Sequence, residues 1–194
     1  MDQLVKATAA DGQLRVFAAV TTDVVAEAMR RHDCWPVAAA ALGRTMTGAL
    51  LFAANLKNKE SVTIKFKGDG PLGTVTADAT AEGSVRGCVD HPHVHLPLNA
   101  HGKIDVGGGI GQGILSVTRF TGLKEPVTGS VNIVSGEIAD DLIHYLYTSE
   151  QTPSSIGLGV LVSPEVQCLG AGGFFVQPLP GASEAVIDRL EANL

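Results

Sequence analysis

Residues 61–90 constrain the fold most, because apolar and polar side chains alternate there through three short runs. Val62, Ile64 and Phe66 alternate with hydroxyl and lysine side chains, and residues 74–79 and 85–89 repeat the pattern. A period of two places the apolar side chains on one face of a strand. The glycine-rich turns between the runs are too short for crossover helices, so neighbouring strands must be antiparallel. The sequence therefore predicts an antiparallel meander with one buried face.

Two helices are expected before this meander. Thr21 and Thr22 offer N-cap oxygens to the first helix, which should end near Asp33. Pro36 is suited to begin the second, which should run to about Lys57. Its apolar residues recur every three or four positions, so the second helix is expected to be largely buried.

Further strands are expected on either side of this region. Residues 4–21 predict a hairpin with an Asp11-Gly12 turn. Later strands are predicted at 114–120, 131–134, 156–162 and 168–176, the last two completing the sheet. A chain of 194 residues can form one substantial core. The expected fold is α+β, a mainly antiparallel sheet packed with several helices in a single domain.

The helix predicted at residues 135–148 has an unusually wide apolar surface. Its apolar arc of roughly 200° is wider than one core requires. The residues of the arc are Ile138, Leu142, Ile143, Tyr145, Leu146 and Tyr147. Two explanations stay open: deep burial inside one subunit, or a subunit contact or exchanged element. Asp140 and Asp141 are expected to solvate the remaining side of the helix.

Composition excludes several classes of partner. The formal charge of -6 and the scattered basic residues argue against nucleic acid. The N-terminus does not resemble a secretory signal, and the longest apolar run, 49–54, is far short of the ~20 residues of a membrane span. A cytoplasmic protein without membrane contact is expected. Cys34, Cys88 and Cys168 are odd in number and widely spaced, which favours reduced structural thiols.

Two motifs could carry chemistry. His91, His93 and His95 would share one face of a strand and could supply metal ligands, so a small metal-dependent hydrolase is the alternative function. Pro92 and Pro97 disturb that strand, however, and a turn with surface histidines explains the run equally. The glycines of residues 107–113 fit neither nucleotide-binding pattern and suggest a mobile or left-handed loop.

The stretch at residues 149–181 is distinctive but lacks a nucleophile paired with a base. Glycine, proline and apolar residues dominate it. Ser154 and Ser155 do not lie in the turn that a hydrolase serine needs. A segment of this kind indicates that a surface, and not a catalytic centre, carries the function; a non-enzyme is expected.

Several motifs in this chain resemble the bacterial 33-kilodalton heat-shock chaperone family. They are AALGRTMTGALL at 40–51, GDGPLG at 68–73, ADA at 77–79, SGEIADDL at 135–142, SEQTPSSIGLGVLV at 149–162 and AGGFFVQPLPG at 171–181. The resemblance implies a cytosolic, ATP-independent holdase that binds unfolding proteins under oxidative and heat stress. It also implies a substrate-binding domain at 1–180 and the start of a helical linker at 181–194.

In that family a C-terminal module of four cysteines binds zinc and acts as the redox switch. Cys34, Cys88 and Cys168 do not match its motif, so no zinc, metal or other cofactor is expected in this chain. If that module normally covers apolar surface, client binding by this chain should be independent of redox state. The pattern of the last predicted helix, with Val186, Ile187, Leu190 and Leu194 on one face, suggests a fragment of a longer protein.

The expected partners are unfolded or misfolded clients and a second copy of the chain. Burial of an apolar patch of ~400 Å² against a client contributes ~10 kcal/mol to the free energy of binding, while association itself costs ~4 to 15 kcal/mol. One patch therefore binds weakly, and a homodimer would add effective concentration. The candidates for client or dimer contact are Ile138, Leu142, Ile143, Tyr145, Leu146, Tyr147, Phe174 and Phe175.

Overall fold

Alternating strand patterns and one long apolar helix assemble into two antiparallel sheets with helices between them. The computed structural model describes residues 1–57 and 59–193. The strands are β1 (Gln3–Ala9), β2 (Leu14–Val20), β3 (Ser61–Gly68), β4 (Thr74–Thr80), β5 (Val85–Val89), β6 (Gly113–Phe120), β7 (Val127–Asn132), β8 (Ser155–Val162) and β9 (Cys168–Pro178). The helices are α1 (Thr22–His32), α2 (Pro36–Ala53), α3 (Val106–Ile110), α4 (Ala139–Thr148) and α5 (Glu184–Glu191).

The strands divide between a five-stranded sheet, β5-β4-β3-β6-β7, and a four-stranded sheet, β1-β2-β9-β8. Every neighbouring pair is antiparallel. The predicted α+β class, the meander and the first hairpin are therefore confirmed. The expectation that β8 and β9 complete the meander's sheet is wrong, because both join the N-terminal hairpin instead. Alternation identifies the two faces of a strand but not the sheet that it enters.

Helix α2 is the core of the molecule because it lies between the two sheets and packs on both. Sixteen of its residues are buried, which confirms the predicted burial, although the helix ends at Ala53 and not near Lys57. Gly43 and Gly48 let the neighbouring elements approach closely, since a Cβ at Gly43 would lie 2.9 Å from Val160. By length and composition α2 could cross a membrane, but 89% of it is buried inside this fold.

Helix α1 is capped by a residue from outside its own sequence. The Asp2 carboxylate accepts hydrogen bonds from the backbone N–H groups of Asp23 and Val24, both at 2.8 Å. Thr21 occupies the N-cap position, as predicted, but its side chain makes no capping bond. Its buried hydroxyl lies 2.7 Å from the Thr47 hydroxyl instead, so the threonine tethers α1 to α2.

Helix α4 begins at Ala139 and not at residue 135. The fully buried Asp141 carboxylate accepts backbone hydrogen bonds from Val134 at 2.6 Å, Ser135 at 3.1 Å and Gly136 at 2.7 Å. These bonds hold residues 134–136 in a turn, and Ile138 follows with a φ of 63°. The prediction that Asp141 solvates the helix is therefore wrong, because the carboxylate organises the preceding loop.

The glycines of residues 107–113 form α3 and the bends around it, which the sequence did not predict. A Cβ at Gly68 would collide with the backbone carbonyl of Ile110, and one at Gly113 with that of Lys67. These glycines therefore permit two backbones to touch. The predicted strand at 131–134 is β7, which instead spans Val127–Asn132. The final helix is present as α5, while Leu194 lies outside the described residues.

Candidate binding surface

One face of the four-stranded sheet points away from the core and consists of small and apolar residues. Register places directly opposed residues on the same face, so its members follow from the pairing of β1, β2, β9 and β8. They are Val5, Ala7, Ala9, Val16, Ala18, Val20, Gly157, Gly159, Leu161, Gly172, Phe174 and Val176. None of them is charged or polar; Gln3, opposite Val20, and Ser155, opposite Val176, lie on the same side of the sheet at its margins. We call this set the apolar face.

Much of the apolar face is open. Val5 is 55% exposed, Val20 52% and Leu161 62%. Beside Leu161, the bulge in β9 leaves Leu169 exposed as well. At the centre, the Phe174 ring lies along the sheet over Gly157, where a Cβ would collide with it. The surface is therefore a shallow apolar sheet with one aromatic side chain lying flat on it.

One end of the apolar face is closed. Leu14 and Val176 lie on this side of the sheet and are 8% and 7% exposed. The chain leaving β9 is tied to this end, because the backbone N–H groups of Leu179 and Ser183 donate to the backbone and side-chain oxygens of Gln13. Helix α5 therefore begins at the edge of the apolar face.

The outer face of the five-stranded sheet has the opposite chemistry. Its central residues include Lys65 and Lys67 and many hydroxyl groups. Asp78 accepts hydrogen bonds from the Thr63 hydroxyl and from Arg86 Nε, the latter at 3.0 Å. Further hydroxyl pairs join Ser116 to Ser130 and Thr118 to Thr128, both at 2.9 Å. This face is a mainly polar, solvated surface, with Ile114 and Phe120 partly exposed at the two ends of β6; we call it the hydroxyl face.

The structure places the eight predicted contact residues in different environments. Five are buried inside the chain: Ile138, Leu142, Tyr145, Leu146 and Phe175. Ile143 and Phe174 are partly buried, while Tyr147 is 69% exposed. Burial within the chain thus covers most of the wide apolar arc of α4. Phe174 lies on the apolar face and Phe175 on the core side, and a contact role for any of the eight stays a prediction.

Burial also defines the chemistry of Tyr145. Its ring packs near Phe52 at a centroid distance of 6.5 Å, and burial is the largest cause that raises the pKa of its hydroxyl to about 12. The hydroxyl therefore stays protonated at neutral pH.

Sequence reasoning missed the hairpin's contribution to the apolar face. In β2, Phe17 and Ala19 face the core, while Val16, Ala18 and Val20 face outward. A strand that is apolar on both faces is covered on both or presents a binding surface. That signal was present in the sequence LRVFAAV.

The motif at Glu150 to Thr152 has a structural explanation. Glu150 accepts a 2.7 Å hydrogen bond from Arg119 of β6, whose guanidinium lies 5.8 Å from the centre of the Phe52 ring. Because Arg119 belongs to the five-stranded sheet and Glu150 precedes β8, the pair joins the two layers. The backbone N–H of Thr152 donates to Leu146 and fixes the loop after α4.

The histidine run does not converge. His93 Nε2 lies 2.9 Å from an Asp33 carboxylate oxygen, and its ring packs against Trp35 at 5.6 Å. Residues 1–57 and 59–193 contain no group of three or more side chains placed to hold a metal ion. The geometry thus lends no support to a metal-dependent hydrolase.

The three cysteines differ in environment. In the described part of the chain, Cys34, Cys88 and Cys168 form no disulfide. Burial raises the pKa of the Cys34 thiol to about 11 and also raises that of Cys168. Cys88 is exposed and, as the partner of Thr76, lies on the hydroxyl face.

Comparisons with known proteins agree across the chain. The model of the Hsp33 protein family matches residues 2–194. The 33 kDa chaperonins of Desulforamulus reducens and Bacillus licheniformis are 55% and 53% identical over all of this chain, which covers 66% and 68% of those proteins. The crystal structure of the 33 kDa chaperonin from Thermotoga maritima superposes with a TM-score of 0.93 at 42% identity, covering 97% of this chain and 65% of that one. The chain thus spans about two thirds of the length of these relatives.

Proposed function

The chain belongs to the Hsp33 protein family, and from this we propose that it is a chaperone that holds unfolding proteins on its apolar face. The observation that carries the proposal is the open, uncharged character of this face. Removal of apolar surface from water stabilises a complex by roughly 25 cal/mol per Å² of buried area and has no directional requirement. A surface of this kind can bind many unfolded sequences, as a holdase must.

The regulation and assembly that we propose follow the family resemblance. They comprise ATP-independent holding of unfolded or misfolded clients under oxidative and heat stress, a cytoplasmic location, a homodimer and redox control in the whole protein. Gly68 and Gly113 allow two backbones to touch, so close packing explains these glycines without a nucleotide site. This is consistent with ATP-independent holding. Cys34 is a poor redox sensor, because burial raises its pKa and keeps the thiol protonated.

The test is suppression of aggregation of a thermally unfolding enzyme by the chain. Ala18→Glu places a charge at the centre of the apolar face, beside Val5 and Phe174. Burying that charge under a client is costly, so we expect binding to weaken at least about tenfold. Ser130→Glu adds the same charge at an exposed position of the hydroxyl face and is the matched control.

The two variants must first show the same thermal stability as the parent chain. Loss of holding in Ala18→Glu with normal holding in Ser130→Glu supports the apolar face. Equal holding by both variants would remove the apolar face from the proposal. A parent chain that suppresses no aggregation at any ratio would reject the chaperone function for this chain.

A further inference from the structure

Strand β8 forms one edge of the four-stranded sheet, and its register shows which backbone groups point outward. The Thr21 N–H donates to the Ala171 carbonyl at 2.9 Å, so the odd-numbered residues of β9 direct their backbone groups toward β2. The even-numbered residues of β9 then bond to β8, through Gly157 and Gly159. Ile156, Leu158 and Val160 are left with backbone N–H and C=O groups that point away from the sheet.

These outward groups have no hydrogen-bond partner among residues 1–57 and 59–193. The other edges carry protection. Lys6 occupies an outward position on β1, and Arg86 lies on β5. At β7, the side chains of Tyr145 and Ser149 lie against Gly129. Ser155–Val162 contains neither a charge nor a proline and is apolar on both faces. Helix α4 also packs near β8, but no backbone hydrogen bond joins the two among the described residues. The outward groups of this uncharged edge are therefore a template for another strand.

We propose that the edge of β8 takes up an extended, uncharged segment of an unfolding protein as an added strand of the sheet. The inference rests on the proposed function and names the client feature that the site selects. The absence of charge from Ser155 to Val162 argues for this occupant, because a charged residue set against β8 would lose hydration without gaining a counter-ion. Backbone hydrogen bonds give affinity that does not depend on client sequence.

The glycines of β8 fit the same occupant. Gly157 and Gly159 carry no side chain on the apolar face, and a Cβ at Gly159 would have nothing within 4 Å. Side chains of an added strand can therefore lean over β8 toward Phe174 and Leu161. The strand would extend the apolar face by one strand, so that backbone pairing and apolar contact act on the same segment.

The test compares Val160→Pro with Val160→Ala in the 194-residue chain. Both variants lose the two γ-methyl groups of Val160 that lie beside Gly43. Proline removes the outward N–H of residue 160 in addition, but it breaks no bond to β9. We expect Val160→Pro to bind a labelled, uncharged, β-prone peptide about tenfold more weakly than Val160→Ala. Equal binding by both folded variants would overturn the inference.

Hydrogen exchange on the unsubstituted chain gives a second readout that needs no variant. An added strand slows amide exchange at Ile156, Leu158 and Val160, while the outward amides of Leu4 and Lys6 on β1 stay fast. Holding of clients without this protection would refute strand addition and leave the apolar face as the proposed site. Protection that depends on chain concentration without client would show a second copy at the edge and equally refute the inference. A chain that holds no client would reject both proposals.

Discussion

The apolar face and the hydroxyl face are both outer surfaces of antiparallel sheets packed on α2, yet their side chains behave differently. On the hydroxyl face, polar groups find partners in one another, as Thr63 and Arg86 do with Asp78. On the apolar face the side chains have no such partners, and Val5, Val20 and Leu161 stay more than half exposed. The hydroxyl face is stable in contact with water, whereas covering the apolar face with another chain lowers the free energy of the system.

The difference follows from strand pattern. Strand β3 alternates strictly, with Val62, Ile64 and Phe66 inward and lysine or hydroxyl residues outward. Strands β2 and β9 are apolar on both sides. A strand needs one apolar face to join the core, so the second apolar face of β2 and β9 is an addition that folding does not require.

The largest effect should separate the two sides of β9. Phe175 contacts Phe17 and Phe52, each at a centroid distance of 5.8 Å, so Phe175→Ala should cost about 3–5 kcal/mol of unfolding free energy. Phe174→Ala should cost only about 1 kcal/mol, because the ring is partly exposed, yet it should weaken client binding. Denaturant unfolding and aggregation suppression measure the two effects. If Phe174→Ala left holding intact, the central aromatic would not belong to the binding surface.

A smaller effect is expected on the hydroxyl face. Asp78→Ala removes the acceptor shared by Thr63 and Arg86, whose side chain is 86% exposed. We expect a loss of about 1 kcal/mol of stability, because such surface interactions are weak. Holding should be unchanged once stability is corrected for. A clear loss of holding in a folded Asp78→Ala chain would contradict the division between the two faces.

The smallest effect concerns the cysteines. At pH 8, a thiol-alkylating reagent should modify the exposed Cys88 first and Cys34 last, because the pKa of Cys34 is raised to about 11 by burial and its thiolate is scarce. Raising the pH toward 11 should speed reaction at Cys34. Mass spectrometry follows each site. Because Cys88 lies on the hydroxyl face, its alkylation alone should leave the holding of clients unchanged. A loss of holding after this alkylation would show that clients bind the hydroxyl face.

Local pattern was sufficient for most of the elements. The burial of α2, the meander and the hairpin were predictable because periodicity identifies the buried side of a helix or strand. The start of α4 was not predictable. The Asp141 carboxylate accepts hydrogen bonds from the backbone of Val134 and Gly136 and holds them in a turn, so the helix begins later than the pattern indicates. The short helix α3 was also missed, because glycine propensity argues against a helix that close packing nevertheless stabilises.

The candidate site was predictable only in part. Phe174 was among the predicted contacts, but Val5, Val16, Ala18 and Val20 were not, although β2 is visibly apolar on both sides. Tyr145 and Leu146, which looked equally suitable, are buried against the core. An apolar residue has the same appearance in sequence whether a core or a client covers it, so exposure could not be judged before assembly.

The sequence by itself determined most of the secondary structure, the α+β class and the family. Tertiary structure decided that the strands divide into two sheets, that the uncharged strand β8 lies at an edge, and that the second apolar side of β2 and β9 faces solvent. The physical reason is that periodicity arises within a few residues of chain, whereas exposure depends on which distant segments pack together.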